Sequence, residues 1–259
     1  PAAPCRGGFW RRAKGWVCVR VLLLTLLFAL PVIHGCSDGG GGGGSGWSET
    51  RPPEGGTITA LAVHPADDRI QLAGTAGGLF RSDDRGLSWN RTAQEMAGCE
   101  ITCLAFSPAD PTRLYAGTRR RGLFCSTNGG SSFAACNGDL PGARLERWVS
   151  AFAPDPVDRD QLYLALAGRG VYRSADGGLH WVLKVLGLGS LDVRDLAVDR
   201  RDPKRVWAAT AKGVFRSSNR ADVWSALTAQ LDLTSVFPHP SQPGLAVTAG
   251  PDGVWRSTD

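Results

Sequence analysis

From residue 57 onward the apolar positions fall in short runs that return at a regular interval. One kind of run is residues 58–63, Ile-Thr-Ala-Leu-Ala-Val, which stops at His64-Pro65. Residues 101–106 stop in the same way at Ser107-Pro108 and residues 148–153 at Pro154, and residues 193–198 and 233–237 continue the series. Behind them comes a second run rich in small residues, as in residues 114–118, 162–166 and 206–210. A third carries a Gly-aliphatic-aromatic segment, and a fourth follows it, for example residues 181–185. Runs of this length and composition, punctuated by Gly, Pro and Asp, predict strands, and no helical period competes with them.

The runs belong to a repeat. Each unit closes on Gly, an aliphatic, an aromatic, usually Arg, and Ser: Gly78 to Ser82, Gly122 to Ser126, Gly170 to Ser174, Gly213 to Ser217 and Gly253 to Ser257. The serines lie 44, 48, 43 and 40 residues apart, the length of one four-stranded propeller blade. The expected fold is therefore all-β, a β-propeller of four-stranded blades with about five blades present and the ring incomplete. The small residues of the second run are expected near the axis, where blades converge.

Between the third and fourth strands lies a turn, Ser82-x-Asp84-x-Gly86-x-x-Trp89, which recurs as Ser174-x-Asp176-x-Gly178-x-x-Trp181. The copy at Ser126, Asn128, Gly130 and Phe133 replaces the Asp and the Trp. The copy at Ser217, Asn219 and Trp224 lacks the Gly, and a last one is cut at Ser257 and Asp259. Ser and Asp side chains bond turn backbone, Gly supplies a positive φ, and the aromatic covers the apolar layer beneath, so the motif reads as structural. The D-x-G spacing lacks the alternating oxygen ligands and terminal Glu of a calcium loop. These turns, in phase over residues 58–259, resemble the Asp box of the BNR/Asp-box β-propellers, a group that includes sialidases, sortilin-type receptor domains, xyloglucan-cleaving glycoside hydrolases and photosystem II assembly factors.

Residues 1–56 differ in kind. A basic stretch (Arg6, Arg11, Arg12, Lys14) precedes the apolar residues 21–33, VLLLTLLFALPVI. That run is signal-peptide length and shorter than the roughly 20 residues of a bilayer span. Ile33-His34-Gly35-Cys36 resembles a bacterial lipobox, with Cys36 as the lipidated first residue of the mature protein; a cleaved secretory signal or a signal anchor are the alternatives. Six glycines, Gly39 to Gly44, then read as a flexible tether. The division is residues 1–36 leader, 37–56 tether and 57–259 propeller, with the body extracytoplasmic, held at the cell envelope or secreted. A chain that opens at Pro1 and stops inside a motif at Asp259 reads as a piece of a longer frame.

Composition narrows the function. The net charge of +5 comes from five basic residues ahead of Asp38, and the remaining 24 Lys and Arg balance the 24 acidic residues. A body with no cationic surplus is not a sequence-independent nucleic-acid binder. Four body cysteines, Cys99, Cys103, Cys125 and Cys136, allow three pairings; Cys125 and Cys136 flank a hairpin turn and are the preferred disulfide, with Cys103 in a predicted strand. No histidine lies near them, so zinc is not expected.

No catalytic constellation emerges. The resemblance to sialidases implies a tyrosine nucleophile and an arginine clamp, but Tyr115, Tyr163 and Tyr172 all hold in-phase strand positions and no Phe-Arg-Ile-Pro segment is present. The xyloglucan-cleaving relatives use two aspartates from facing propellers, and Asp192, Asp195 and Glu146 carry no signature that assigns them such a role. The outstanding feature is Arg119-Arg120-Arg121, between the second and third strands of the second unit, a candidate contact for an acidic partner surface. The expected function is an exported, lipid-anchored, non-catalytic propeller that binds protein or glycan without cofactor or metal. The alternative is an extracellular glycoside hydrolase of the xyloglucanase kind whose remaining blades and acids lie outside this sequence.

Overall fold

The computed structural model describes residue 53 and residues 56–142, 146–228, 231–242 and 244–257. The leader, Cys36, the glycine tether and Asp259 lie outside the described residues. The chain folds into five antiparallel sheets, each a simple meander in chain order. Sheet one holds β1 (Ile58–Val63), β2 (Gln71–Thr75), β3 (Gly78–Ser82) and β4 (Asn90–Thr92). Sheet two holds β5 (Ile101–Phe106), β6 (Leu114–Thr118), β7 (Leu123–Ser126) and β8 (Ala134–Ala135). Sheet three is β9 (Val149–Pro154), β10 (Leu162–Leu166), β11 (Gly170–Ser174) and β12 (Val182–Leu183). Sheet four is β13 (Val193–Val198), β14 (Val206–Thr210), β15 (Gly213–Ser217) and β16 (Ser225–Ala226). The fifth has three strands among the described residues, β17 (Ser235–Pro238), β18 (Ala246–Gly250) and β19 (Gly253–Arg256).

The core is distributed. Four buried clusters lie between successive sheets, each drawing side chains from two neighbours. Strands β6, β10 and β14 are buried at every position, because alternate residues serve the layers on either side. In β6, Leu114 and Ala116 join the layer shared with sheet one, while Tyr115 joins the layer shared with sheet three. Tyr115 meets Phe152 of β9 there, with ring centroids 4.8 Å apart.

The order of strands about the axis differs from the sequence expectation. The first strands β1, β5, β9, β13 and β17 pack against one another in succession, so they, and not the second strands, line the axis. The small residues of the second strands have another use: they admit the side chains of the next sheet. A methyl on Gly74 would stand 2.6 Å from Ile101 Cγ2, and one on Gly117 would stand 2.7 Å from Val149 Cγ1 and overlap Cys103 Sγ. A row of hydroxyls ties the same first strands together. Thr59 Oγ1 donates to the Ile101 carbonyl at 2.5 Å, Thr102 Oγ1 to that of Val149 at 2.6 Å and Ser150 Oγ to that of Val193 at 2.7 Å.

The recurring turns close the third strands by one hydrogen-bond scheme. Ser82 Oγ donates to Asp84 Oδ1 at 2.7 Å and accepts the Gly86 amide at 2.8 Å, and Asp84 Oδ1 accepts the Ser88 amide at 2.9 Å. Ser126 with Asn128 and Gly130, and Ser174 with Asp176 and Gly178, repeat it. In the fourth turn Ser217 Oγ accepts the amide of Ala221 at 3.0 Å. Ala221 takes the glycine's place at φ 66, and its methyl is fully buried in the layer between sheets three and four, which offsets the left-handed strain. Phe133, Trp181 and Trp224 are buried beneath their turns and Trp89 is half-buried. Trp181 stands outside the fourth strand expected to contain it, because its indole Nε1 turns back to the Gly178 carbonyl at 3.1 Å.

Two outcomes follow from this packing. Gly117→Ala will lower the unfolding free energy by about 1–3 kcal/mol, the cost of overfilling a packed layer, measured by urea denaturation. In the third turn, the Asp176 carboxylate accepts the His180 amide and bonds the ring Nδ1 at 2.6 Å; these bonds lower the Asp176 pKa and raise that of His180. The imidazolium's contribution is thus complete below the ordinary histidine pKa and is lost as pH rises through the raised one. NMR titration will place His180 above its ordinary value of 6.5, and Asp176→Asn, which copies Asn128 and Asn219, will return it there with the turn intact.

Candidate functional site

The connection from β6 to β7 carries the three arginines. In sheets one and four, two residues separate the threonine that ends the second strand from the glycine that begins the third. There Thr75 Oγ1 and Thr210 Oγ1 donate to the Gly78 and Gly213 carbonyls, each at 2.9 Å. In sheet two Thr118 Oγ1 makes the same bond to the Gly122 carbonyl at 2.8 Å across the longer connection, and it accepts the Arg121 amide at 2.9 Å.

Neighbouring segments fix this loop from both sides. The Arg119 amide bonds the carbonyl of Glu100, which leads into β5 of the same sheet, at 3.0 Å, and the Arg147 amide, ahead of sheet three, bonds the Arg120 carbonyl at 3.2 Å. The Gly122 amide completes the second anchor on the Arg147 carbonyl at 2.9 Å. The backbone that presents the arginines is therefore fixed by the fold itself.

The three side chains are not equivalent, although the sequence presents them as one patch. Arg119 pairs with Glu100 Oε1 at 3.0 Å and lies over the Trp148 ring, 4.5 Å from its centroid. Arg121 donates to the Glu95 carbonyl at 2.9 Å, approaches Cys99 Sγ at 3.0 Å and lies over Phe124 at 5.1 Å. Arg120 is exposed, and its guanidinium has no partner among the described residues. All three, with Cys99, Glu100 and Gly98, line an open depression of about 490 Å³. Beside it Trp148 is 41% exposed.

The carboxylates considered from sequence are committed elsewhere. Glu146 pairs with Arg169 at 3.7 Å and Asp192 with Arg194 at 3.3 Å. Asp195 is buried, with Oδ1 accepting the Leu196 amide at 2.9 Å and Oδ2 the Val236 amide at 3.0 Å, so it joins sheet four to sheet five. Burial holds the Tyr115, Tyr163 and Tyr172 phenols above the ordinary tyrosine range, the wrong direction for a nucleophile. His64 and His239 cap turns just after the C-terminal ends of β1 and β17, each accepting two backbone amides on Nδ1. Among the described residues no group of three or more His, Cys, Asp or Glu is placed to hold a metal ion, and no helix is long and apolar enough to cross a membrane.

Cys125 and Cys136 form a disulfide, with Cα atoms 5.8 Å apart. The bridge fastens the outer edge of sheet two, and the Cys136 carbonyl in turn accepts from Trp181 Nε1 at 3.4 Å. Cys99 and Cys103 are buried and stand outside the disulfide. Sequence reasoning did not foresee Trp148, Glu100 and Cys99 as neighbours of the arginine loop; the exposed aromatic at the head of the third unit was the available signal.

No family model matches the sequence, and no curated protein matches it. Among solved structures the chain is similar to an ancestral GH74 enzyme, at TM-score 0.61 and 18% identity over 82% of this chain and 32% of that one. It is similar to the GH74 xyloglucanase from Xanthomonas campestris, at 0.59 and 22% over 76% and 36%. It is also similar to YCF48, solved bound to D1 peptide, at 0.61 and 18% over 82% and 68%. The chain thus spans about a third of the length of the two GH74 enzymes. At these identities the likeness is one of fold, and the fold is the β-propeller.

Proposed function

We propose that this chain is an exported, lipid-anchored, non-catalytic Asp-box propeller that binds an acidic protein partner on the face carrying Arg119, Arg120 and Arg121. One observation carries the reading: a backbone-anchored loop holds an uncommitted guanidinium at an open depression, while Glu146, Asp192 and Asp195, the carboxylates considered from sequence, are engaged with arginines or backbone amides. Such a face recognises charge and does not supply an acid and a base. That YCF48 is solved with a bound peptide favours a protein over a glycan as the partner. The Cys125–Cys136 bond supports an oxidising, extracytoplasmic location; the leader and Cys36 supply the route and the anchor.

A second reading is favoured by the GH74 likeness. In it the chain is one part of a glycoside hydrolase, and the catalytic acids come from outside residues 57–259. Hydrolysis of xyloglucan by the product of the full reading frame, with release of reducing ends, would overturn the non-catalytic reading.

Two measurements test the primary proposal. Arg119→Glu, Arg120→Glu and Arg121→Glu together will abolish partner capture and its decline with added salt, and unchanged capture with unchanged salt dependence refutes it. For the anchor, Cys36→Ala will end palmitate incorporation and release the protein from the detergent phase. Continued labelling refutes lipidation at Cys36.

A further inference from the structure

We infer that the depression between the first and second sheets is a carboxylate-binding subsite read by Arg120, with Arg119 and Arg121 as its fixed walls. The inference deepens the protein-binding reading and rests on it for the source of the ligand, a carboxylate on an acidic peptide segment.

Three features select this ligand class. The lining carries three guanidinium groups against the single carboxylate of Glu100, which leaves two positive charges uncompensated by lining side chains. The volume of about 490 Å³ lies in the range of small-ligand sites, so it admits one or two acidic side chains. The wall arginines are already oriented, Arg119 by Glu100 and the Trp148 ring, and Arg121 by the Glu95 carbonyl and the Phe124 ring. Arg120 keeps its full set of donors, and a planar guanidinium fork matches a carboxylate in a bidentate contact that an ammonium cannot make.

Cys99 provides a reporter, since it is among the residues lining the same depression and Arg121 Nη1 stands 3.0 Å from its Sγ. Iodoacetate and iodoacetamide alkylate a thiol by the same displacement of iodide, but only the first carries a carboxylate. In the full chain, the iodoacetate-to-iodoacetamide rate ratio at Cys99, read by mass spectrometry, will exceed that of free glutathione by about tenfold, the scale of concentration by a local field. Succinate in excess will suppress the enhancement, and Arg120→Glu will remove it.

A ratio equal to that of glutathione, or one unchanged by Arg120→Glu, overturns the subsite. Should Cys99 react with neither reagent, titration of the 15N-labelled chain with succinate decides. Saturable shifts of the amides of residues 119–121 that vanish in Arg120→Glu support the subsite, and their absence refutes it. Partner capture that persists after the subsite is refuted leaves the binding reading standing, and succinate binding without partner capture does the reverse.

Discussion

Everything in this molecule depends on a sheet being able to bury both of its faces only against its neighbours. A four-stranded meander of about 40 residues has too little core to stand alone, so stability resides in the interfaces between units. Two local devices recur at these interfaces. A residue without a side chain in the second strand, Gly74 or Gly117, opens room for Ile101 or Val149 of the next sheet. A hydroxyl in the first strand, on Thr59, Thr102 or Ser150, then reaches the carbonyl at the head of that next sheet. A hydroxyl is short enough to sit in so close an approach and still gives the carbonyl a hydrogen-bond donor. Where the chain departs from the device, it substitutes another: Arg194 occupies the hydroxyl position, and buried Asp195 joins sheets four and five through the Leu196 and Val236 amides.

Much of this was legible in the sequence, because a repeat turns one weak pattern into five aligned observations. The strands, their meander order and the serine-headed turns all follow from the phase of Gly-aliphatic-aromatic-x-Ser. The radial order was misread for a physical reason. Small residues mark close approach, but close approach occurs both at an axis and at a flat interface, and Gly117 serves the second. The extent of the fourth strand was misread because Trp181 has the composition of a strand residue, whereas its indole nitrogen bonds the turn it follows. The missing glycine of the fourth turn proved tolerable since the alanine methyl at that position is buried.

The candidate site was legible as a location and not as an arrangement. Three consecutive arginines announce a basic loop, but nothing in residues 119–121 tells which of them the fold consumes. The groups that consume two of them come from other segments: Glu95, Cys99 and Glu100 before β5, and Trp148 before β9. Their convergence follows from the packing of first strands at the axis, which was the part of the fold read incorrectly. The two errors are one error, because the heads of β5 and β9 must be adjacent for Arg119 to bridge Glu100 and Trp148.

That adjacency also bears on binding strength. An exposed arginine on a mobile loop gives little affinity, since ordering the loop and the side chain consumes most of the electrostatic gain. Here the loop backbone is bonded to residues on both sides, through the Glu100 carbonyl and both backbone groups of Arg147, so its ordering cost falls on folding. What remains is the rotamer entropy of Arg120, about 2 kcal/mol at most, set against a charge-assisted contact in a depression whose walls carry two further guanidinium groups. Commitment of Arg119 and Arg121 to internal partners therefore strengthens the proposed recognition: Arg121, bonded to a neutral carbonyl, contributes field without requiring order, Arg119 is neutralised by Glu100, and one side chain is left to make the contact.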